Sequence, residues 1–153
     1  MNIAIVIAPF YEDITQGLLS GVREVLSENR IELNPREIYN APGAFEIPLI
    51  AQTLAETRRY DGVICLGCVV KGETAHFEFI SLAASMGLME SSLKTSTPIS
   101  FGILTVYEKS QADKRSEPGP HNKGREAATA CLSSIHTLRR ILQDNDSSPA
   151  QPS

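Results

Sequence analysis

The sequence predicts an α/β domain, a three-layer αβα sandwich built on a doubly wound, four-stranded parallel sheet. Short apolar, β-branched runs alternate along the chain with longer segments of helical periodicity. One of those runs, Asp61-Gly-Val-Ile-Cys-Leu-Gly-Cys-Val-Val70, is apolar almost without a break, the pattern of a parallel strand buried on both faces.

Each element follows from its own residues. Ile3 to Ala8 forms the first strand, and beyond Pro9-Phe10-Tyr11 a helix follows in which Ile14, Leu18, Val22, Val25 and Leu26 recur at helical spacing. Pro35 interrupts the next segment, so a second strand is expected over Arg36 to Asn40 with an irregular lead-in. Pro42-Gly43 makes a turn into a helix reaching about Thr57, with Pro48 tolerated in its first turn. The third strand is the run from Asp61 to Val70. A third helix then spans Glu73 to Lys94, with Phe77, Ile80, Ala84 and Leu88 on one stripe and Phe79, Leu82, Ala83, Met86, Met89 and Leu93 broadening it. So wide an apolar surface exceeds what one sheet face covers; it fits either a thickly buried core helix or a helix that also packs on another subunit. Pro98 to Thr105 is the fourth strand, and Tyr107 to Ser116 a charged helix. Glu117-Pro-Gly-Pro-His121 is a loop. Asn122 to Gln143 is a last helix with Ala128, Cys131, Leu132, Ile135, Leu138 and Leu142 toward the core. The domain thus covers 1–143, and 144–153 reads as a disordered polar tail.

Composition narrows the function. A chain of 153 residues suits one domain that buries roughly 70% of its unfolded surface. Fourteen basic against 18 acidic side chains give a net charge of −4, with no long basic run, so nucleic acid and anionic membranes are poor partners. The N-terminal apolar run lacks a positive lead and meets Pro9 too early for a signal peptide, and no run approaches the roughly 20 residues of a membrane span. A cytoplasmic location is expected. Cys65, Cys68 and Cys131 are an odd number, too sparse for a disulfide scaffold; Cys65-Leu-Gly-Cys68 lies within a strand, where nothing stabilises a thiolate. The three histidines show no metal-ligand spacing, so no metal is expected.

Chemistry is expected where the third strand runs into the third helix, since ligands of open α/β sheets bind beyond the carboxyl ends of the strands. There a helix start offers free backbone N–H groups to an anion, Gly72 permits close approach, and Thr74 is a candidate cap. His76 would stand one turn from that anion, able to pass protons near neutral pH; the spacing fits equally a helix-start histidine with a local hydrogen bond. The turn after the first strand has neither G-x-G-x-x-G nor a Walker A loop, which disfavours a dinucleotide or a nucleoside triphosphate. It offers Phe10 instead, a ring that could stack on a flat heterocycle or simply edge the core.

Five motifs in order, Pro9-Phe10 before Leu18-Leu19-Ser20-Gly21, Pro42-Gly43-Ala44-Phe45-Glu46-Ile47-Pro48, Gly67 to Phe77, Pro98 to Thr105, and Asn122-Lys123-Gly124, resemble the 6,7-dimethyl-8-ribityllumazine synthase family. The likeness runs from about residue 2 to 142. It implies a flavodoxin-like fold and the penultimate step of riboflavin synthesis: condensation of 5-amino-6-(D-ribitylamino)uracil with 3,4-dihydroxy-2-butanone 4-phosphate, releasing phosphate and two waters, with no cofactor or metal. On that resemblance His76 is the proton shuttle and Phe10 the ring that stacks on the pyrimidine. Ala44, Phe45 and Glu46 receive the ribityl chain, Glu46 accepting from its hydroxyls. Cys68, Val69 and Val70 line the pyrimidine, and Phe101 comes from the neighbouring subunit. Glu73 and Thr74 lie where backbone N–H groups hold the phosphate, and Arg115, eight residues before Lys123, matches a phosphate-binding arginine. Lys123 is a secondary candidate, adding positive potential from the adjoining subunit. Away from the motifs, Arg115 and Lys123 would read as solvated surface residues.

The chain departs from the family pattern at Tyr11, at Glu73, whose charge would repel phosphate unless it points outward, and in the loop from Glu117 to His121. The resemblance also implies a homopentamer with active sites between subunits, in some members twelve such pentamers forming a capsid. Because this chain begins almost at its first strand, a free homopentamer is expected. The alternatives are an archaeal-type riboflavin synthase, against which Thr74-Ala75-His76-Phe77 argues, and a non-catalytic lumazine or flavin carrier, which would need neither His76 nor Arg115.

Overall fold

The apolar runs form one four-stranded parallel sheet in the computed structural model, which describes residues 1–147. Strands β1 (Ile3–Ile7), β2 (Ile38–Asn40), β3 (Gly62–Val70) and β4 (Ile99–Val106) lie in the order β2-β1-β3-β4. Helices α1 (Glu12–Glu28), α4 (Lys109–Ser116) and α5 (Lys123–Asp146) cover one face; α2 (Ile47–Glu56) and α3 (His76–Thr95) cover the other. The doubly wound sandwich is therefore as the alternation of elements implies. The strand order reverses direction between β1 and β3, which opens a crevice at their carboxyl ends.

Period-two alternation sorts the strand residues between two cores. Ile3, Ile5 and Ile7 face α1 and α5 together with Ile64 and Leu66, whereas Ala4 and Val6 face α2 and α3 together with Val63 and Cys65. The small Ala4, Ala51, Ala55 and Ala84 let the second layer sit close to the sheet. Register is continuous across the centre, with Ile5 opposite Ile64 and Cys65 opposite Phe101.

Several boundaries differ from the sequence reading; strand ends shift by one residue, and α4 starts at Lys109 rather than Tyr107 because Glu108 and Gln111 form a capping box ahead of it. Arg36 and Glu37 belong to a 3-10 turn (Pro35–Glu37), because Pro35 starts a turn in which the Asn34 side chain accepts from Arg36 N–H at 2.9 Å. Ala44–Glu46 forms a second 3-10 turn ahead of α2. Helix α3 starts at His76, so Glu73 and Thr74 lie in the loop before it and Thr74 is not its N-cap; that position is taken by Ala75. Helix α5 continues to Asp146, three residues past the expected Gln143, and the rest of the proposed tail, 148–153, lies outside the described residues.

The breadth of α3 resolves into two faces. Ala84 and Leu88 are buried against the sheet, with Ile80 beside them. Phe79, Leu82, Met86, Met89 and Leu93 stand exposed on the opposite side, Leu93 at 73%. A thickly buried core helix is thereby ruled out within the single chain. Strand β4 lies at the edge of the sheet, its outer side paired with no strand among the described residues.

Candidate active site

The crevice at the carboxyl ends of β1 and β3 holds a cavity of about 390 Å³ lined by Phe10, Tyr11, Pro42 to Glu46, Cys68 to Val70, His76 and Ile80. Every residue assigned to the heterocycle and the ribityl chain except Phe101 lines it, and so does His76. Four separate elements deliver them: the β1–α1 turn, the turn after β2, the end of β3 and the first turn of α3.

Local geometry explains how the rings come to face the opening. Tyr11 adopts a left-handed backbone (φ 55°), turning the chain from β1 into α1, and its carbonyl accepts from the N–H groups of Ile14 and Thr15 at 2.9 and 3.0 Å. A tyrosine in this region is strained, and such strain concentrates at working sites. Phe10 (60% exposed) and Phe45 (62%) stand open to solvent beside it. Gly43 sits beneath both walls: a methyl group there would stand 3.3 Å from the Glu46 carboxylate and 3.6 Å from the Phe10 ring. A methyl group at 43 would therefore press on the Glu46 carboxylate while resting in ordinary contact with the Phe10 ring.

His76 opens α3. Its backbone N–H points to the Thr74 hydroxyl over a long 3.4 Å, and no hydrogen bond among the described residues engages its imidazole. The ring is exposed and free to meet a ligand. Glu73 and Thr74 flank it on the exposed loop, and Glu73 makes no ion pair among the described residues. That loop is not part of the cavity lining, so the phosphate candidates Glu73 and Thr74 stand at its rim.

Phe101, Arg115 and Lys123 lie elsewhere. Together with Ile103 to Tyr107, Gln111 and Lys114 they line a second depression of about 440 Å³ along β4 and α4, which shares no residue with the first. Lys123 pairs with Glu126 at 3.0 Å, while the Arg115 guanidinium has no hydrogen bond or ion pair among the described residues. Arg115, Lys114 and Lys123 make this depression basic. Ile80 in the first cavity, and Val106, Tyr107, Gln111 and Lys114 in the second, were given no site role from the sequence. Ile80 had a signal, being one helical turn beyond His76; the others depend on how α4 packs beside the end of β4.

The thiol of Cys68 is pushed up by burial from 9.0 to about 11, and that of Cys131 to about 12. Burial raises Cys65 further in the same direction. All three are unpaired thiols, as expected, and none is a ready nucleophile. Among the described residues no group of His, Cys, Asp and Glu is placed to hold a metal ion, and no helix is long and apolar enough to cross a membrane.

Comparison with known proteins bears on this geometry. Residues 1–139 match the 6,7-dimethyl-8-ribityllumazine synthase family. A protein of Caulobacter vibrioides called 6,7-dimethyl-8-ribityllumazine synthase 1 is 58% identical over 143 residues, 94% of either chain. A second, 6,7-dimethyl-8-ribityllumazine synthase of Syntrophus aciditrophicus, is 39% identical over 141 residues, 92% of either chain.

Proposed function

The chain belongs to the 6,7-dimethyl-8-ribityllumazine synthase family, and from that premise we propose that it condenses 5-amino-6-(D-ribitylamino)uracil with 3,4-dihydroxy-2-butanone 4-phosphate. The products are 6,7-dimethyl-8-ribityllumazine, phosphate and two waters, making this the penultimate step of riboflavin synthesis. The observation that carries the reading is the convergence of an exposed aromatic ring, a carboxylate and an unengaged histidine on one cavity at the strand-order reversal.

In this reading the pyrimidine lies on Phe10, and the backbone of Cys68, Val69 and Val70 lines its edge. The ribityl chain extends past Ala44 and Phe45 to Glu46, whose two oxygens accept from its hydroxyls. The 5-amino nitrogen attacks the ketone carbon of the second substrate, and His76 takes the nitrogen's proton and returns it to the hydroxyl that departs as the first water. Phosphate leaves by elimination. The ribitylamino nitrogen then closes the second ring with loss of the second water. His76, at the start of α3, stands between the nitrogen and the leaving group, so one imidazole serves both proton transfers.

The phosphate is held between the loop at Glu73 and Thr74 and the guanidinium of Arg115, with Lys123 adding positive potential. The basic depression shares no lining residue with the cavity of its own chain, which supports the reading that a second copy supplies Phe101, Arg115 and Lys123. The exposed apolar row of α3 and the open edge of β4 support that assembly, which we take to be a homopentamer. Buried reduced thiols suit the cytoplasm.

Mixing purified protein with both substrates and following lumazine absorbance together with phosphate release tests the reaction. Turnover well above the uncatalysed rate is expected; binding of lumazine without turnover would instead identify a carrier. Arg115→Ala is expected to raise KM for the butanone phosphate at least about tenfold, the loss of a charge-assisted contact worth about 1.5–3 kcal/mol. Unchanged kinetics with that substrate would remove Arg115 from the site.

A further inference from the structure

Arg115 and Lys123 stand on different helices, and one buried side chain joins the ends of both. Asn122 is 2% exposed, a polar side chain buried where α1, α4 and α5 meet. Its amide nitrogen donates to the carbonyls of Ser116 and Glu117 at 3.1 and 3.0 Å, the residues immediately after Arg115, and to Gly17 of α1 at 3.1 Å. Its side-chain oxygen accepts from Arg125 N–H at 3.1 Å, capping α5 two residues after Lys123. Every polar atom of the carboxamide is thus engaged, and each partner is a main-chain group.

The surroundings allow no slack. A methyl group on Gly17 would stand 2.4 Å from the Ser116 carbonyl oxygen, and one on Gly124 would stand 1.9 Å from the Leu18 carbonyl oxygen. The backbones of α1, α4 and α5 therefore meet directly around Asn122. No side chain among the described residues aims Arg115, so the placement of its guanidinium depends on where the end of α4 is held.

We infer that Asn122 is a positioning residue that sets the spacing between Arg115 and Lys123, and so presents a preformed phosphate cradle to the neighbouring cavity. This rests on the reading of Arg115 as a phosphate ligand. A carboxamide suits the task where a carboxylate does not. Aspartate would keep the cap on Arg125 N–H but, having no proton to donate, would set a negative charge against three carbonyl oxygens.

Steady-state kinetics on the intact assembly test it, using Asn122→Asp, Arg115→Ala and the double variant. The expected result is a KM for the butanone phosphate raised about tenfold in Asn122→Asp, with kcat and the affinity for the pyrimidine changed less than about twofold. The double variant should cost no more than Arg115→Ala alone, because the two act through one contact. If Arg115→Ala raises that KM while Asn122→Asp lowers only the melting temperature, or affects both substrates alike, the positioning role is overturned and the reading of Arg115 stands. If Arg115→Ala has no effect on KM, the reading of Arg115 itself falls, and the inference with it. Should Asn122→Asp not fold, hydrogen exchange of segment 114–126 in the unaltered protein decides. A cradle already built by Asn122 is protected equally with and without inorganic phosphate, whereas a segment that becomes protected only when phosphate is added overturns the inference.

Discussion

His76 is the residue on which the proposed chemistry turns, and no hydrogen-bond partner among the described residues competes for its ring. Its replacement by alanine should lower kcat by about 100-fold, the usual contribution of general acid–base catalysis, while calorimetry finds pyrimidine affinity nearly intact. A large loss of affinity with unaltered turnover would reassign it to binding. The buried thiols give a second prediction at this scale. Cys131, raised from 9.0 to about 12, and Cys68, raised to about 11, both ionise more readily in the unfolded chain. The stability they contribute is complete below about pH 9 and is lost as pH rises through the folded values. Urea midpoints should therefore fall between about pH 7.5 and about pH 10. Cys131→Ala should show a shallower fall, the difference reaching on the order of 1 kcal/mol at the alkaline end of that range.

Among the elements, α3 has the most to lose from being read alone. Its inward face runs from Ala84 through Leu88 to the buried Ser91 and Thr95, and Leu88→Ala should destabilise the fold by about 2–5 kcal/mol in urea melts, as truncations of buried leucines do. Its outward row, from Phe79 to Leu93, carries no such penalty in the isolated chain because those side chains already meet solvent. The sequence showed the breadth of this apolar surface and left open what covered it, since periodicity reports that a face is apolar and not which neighbour it meets. The sandwich itself was legible, because β-branched runs and helical stripes arise from local spacing. Boundaries were less so: Pro35 and Asn34 trade two strand residues for a turn, and α3 begins three residues late because its first helical bond runs from Phe79 N–H to the Ala75 carbonyl, leaving Glu73 and Thr74 in the loop.

For the whole molecule, the expectation is that no chain works alone. Leu82→Glu with Met86→Glu should leave a folded chain by circular dichroism but shift it to smaller species in sedimentation, with turnover lost along with assembly. Mixing is a sharper test of sites built across subunits. His76→Ala and Arg115→Ala proteins, each impaired alone, should on reassociation recover up to roughly a quarter of wild-type activity, because random rings place an intact cavity beside an intact arginine at about one junction in four. Absence of any recovery, with mixed rings verified by mass spectrometry, would place both residues in the site of one chain.

The order of residues along the chain was enough to specify the sheet, the two layers of helices and the set of candidate residues for the chemistry. Apolar periodicity is a local property, and the five motifs are short enough to be read along the chain. Phe10 in the turn after β1 and His76 at the start of α3 were marked by local position, and Glu46 by the motif around it. How these residues are grouped emerged only on folding. Phe101, Arg115 and Lys123 share a depression on the β4 side, apart from the cavity that holds Phe10 and His76. The reason is topological: the cavity forms where strand order reverses between β1 and β3, whereas β4, α4 and α5 lie beyond β3. Distance along the chain carries no trace of that separation. Nor does it show that Asn122, buried and bonded to three carbonyls, joins the elements that carry the second group.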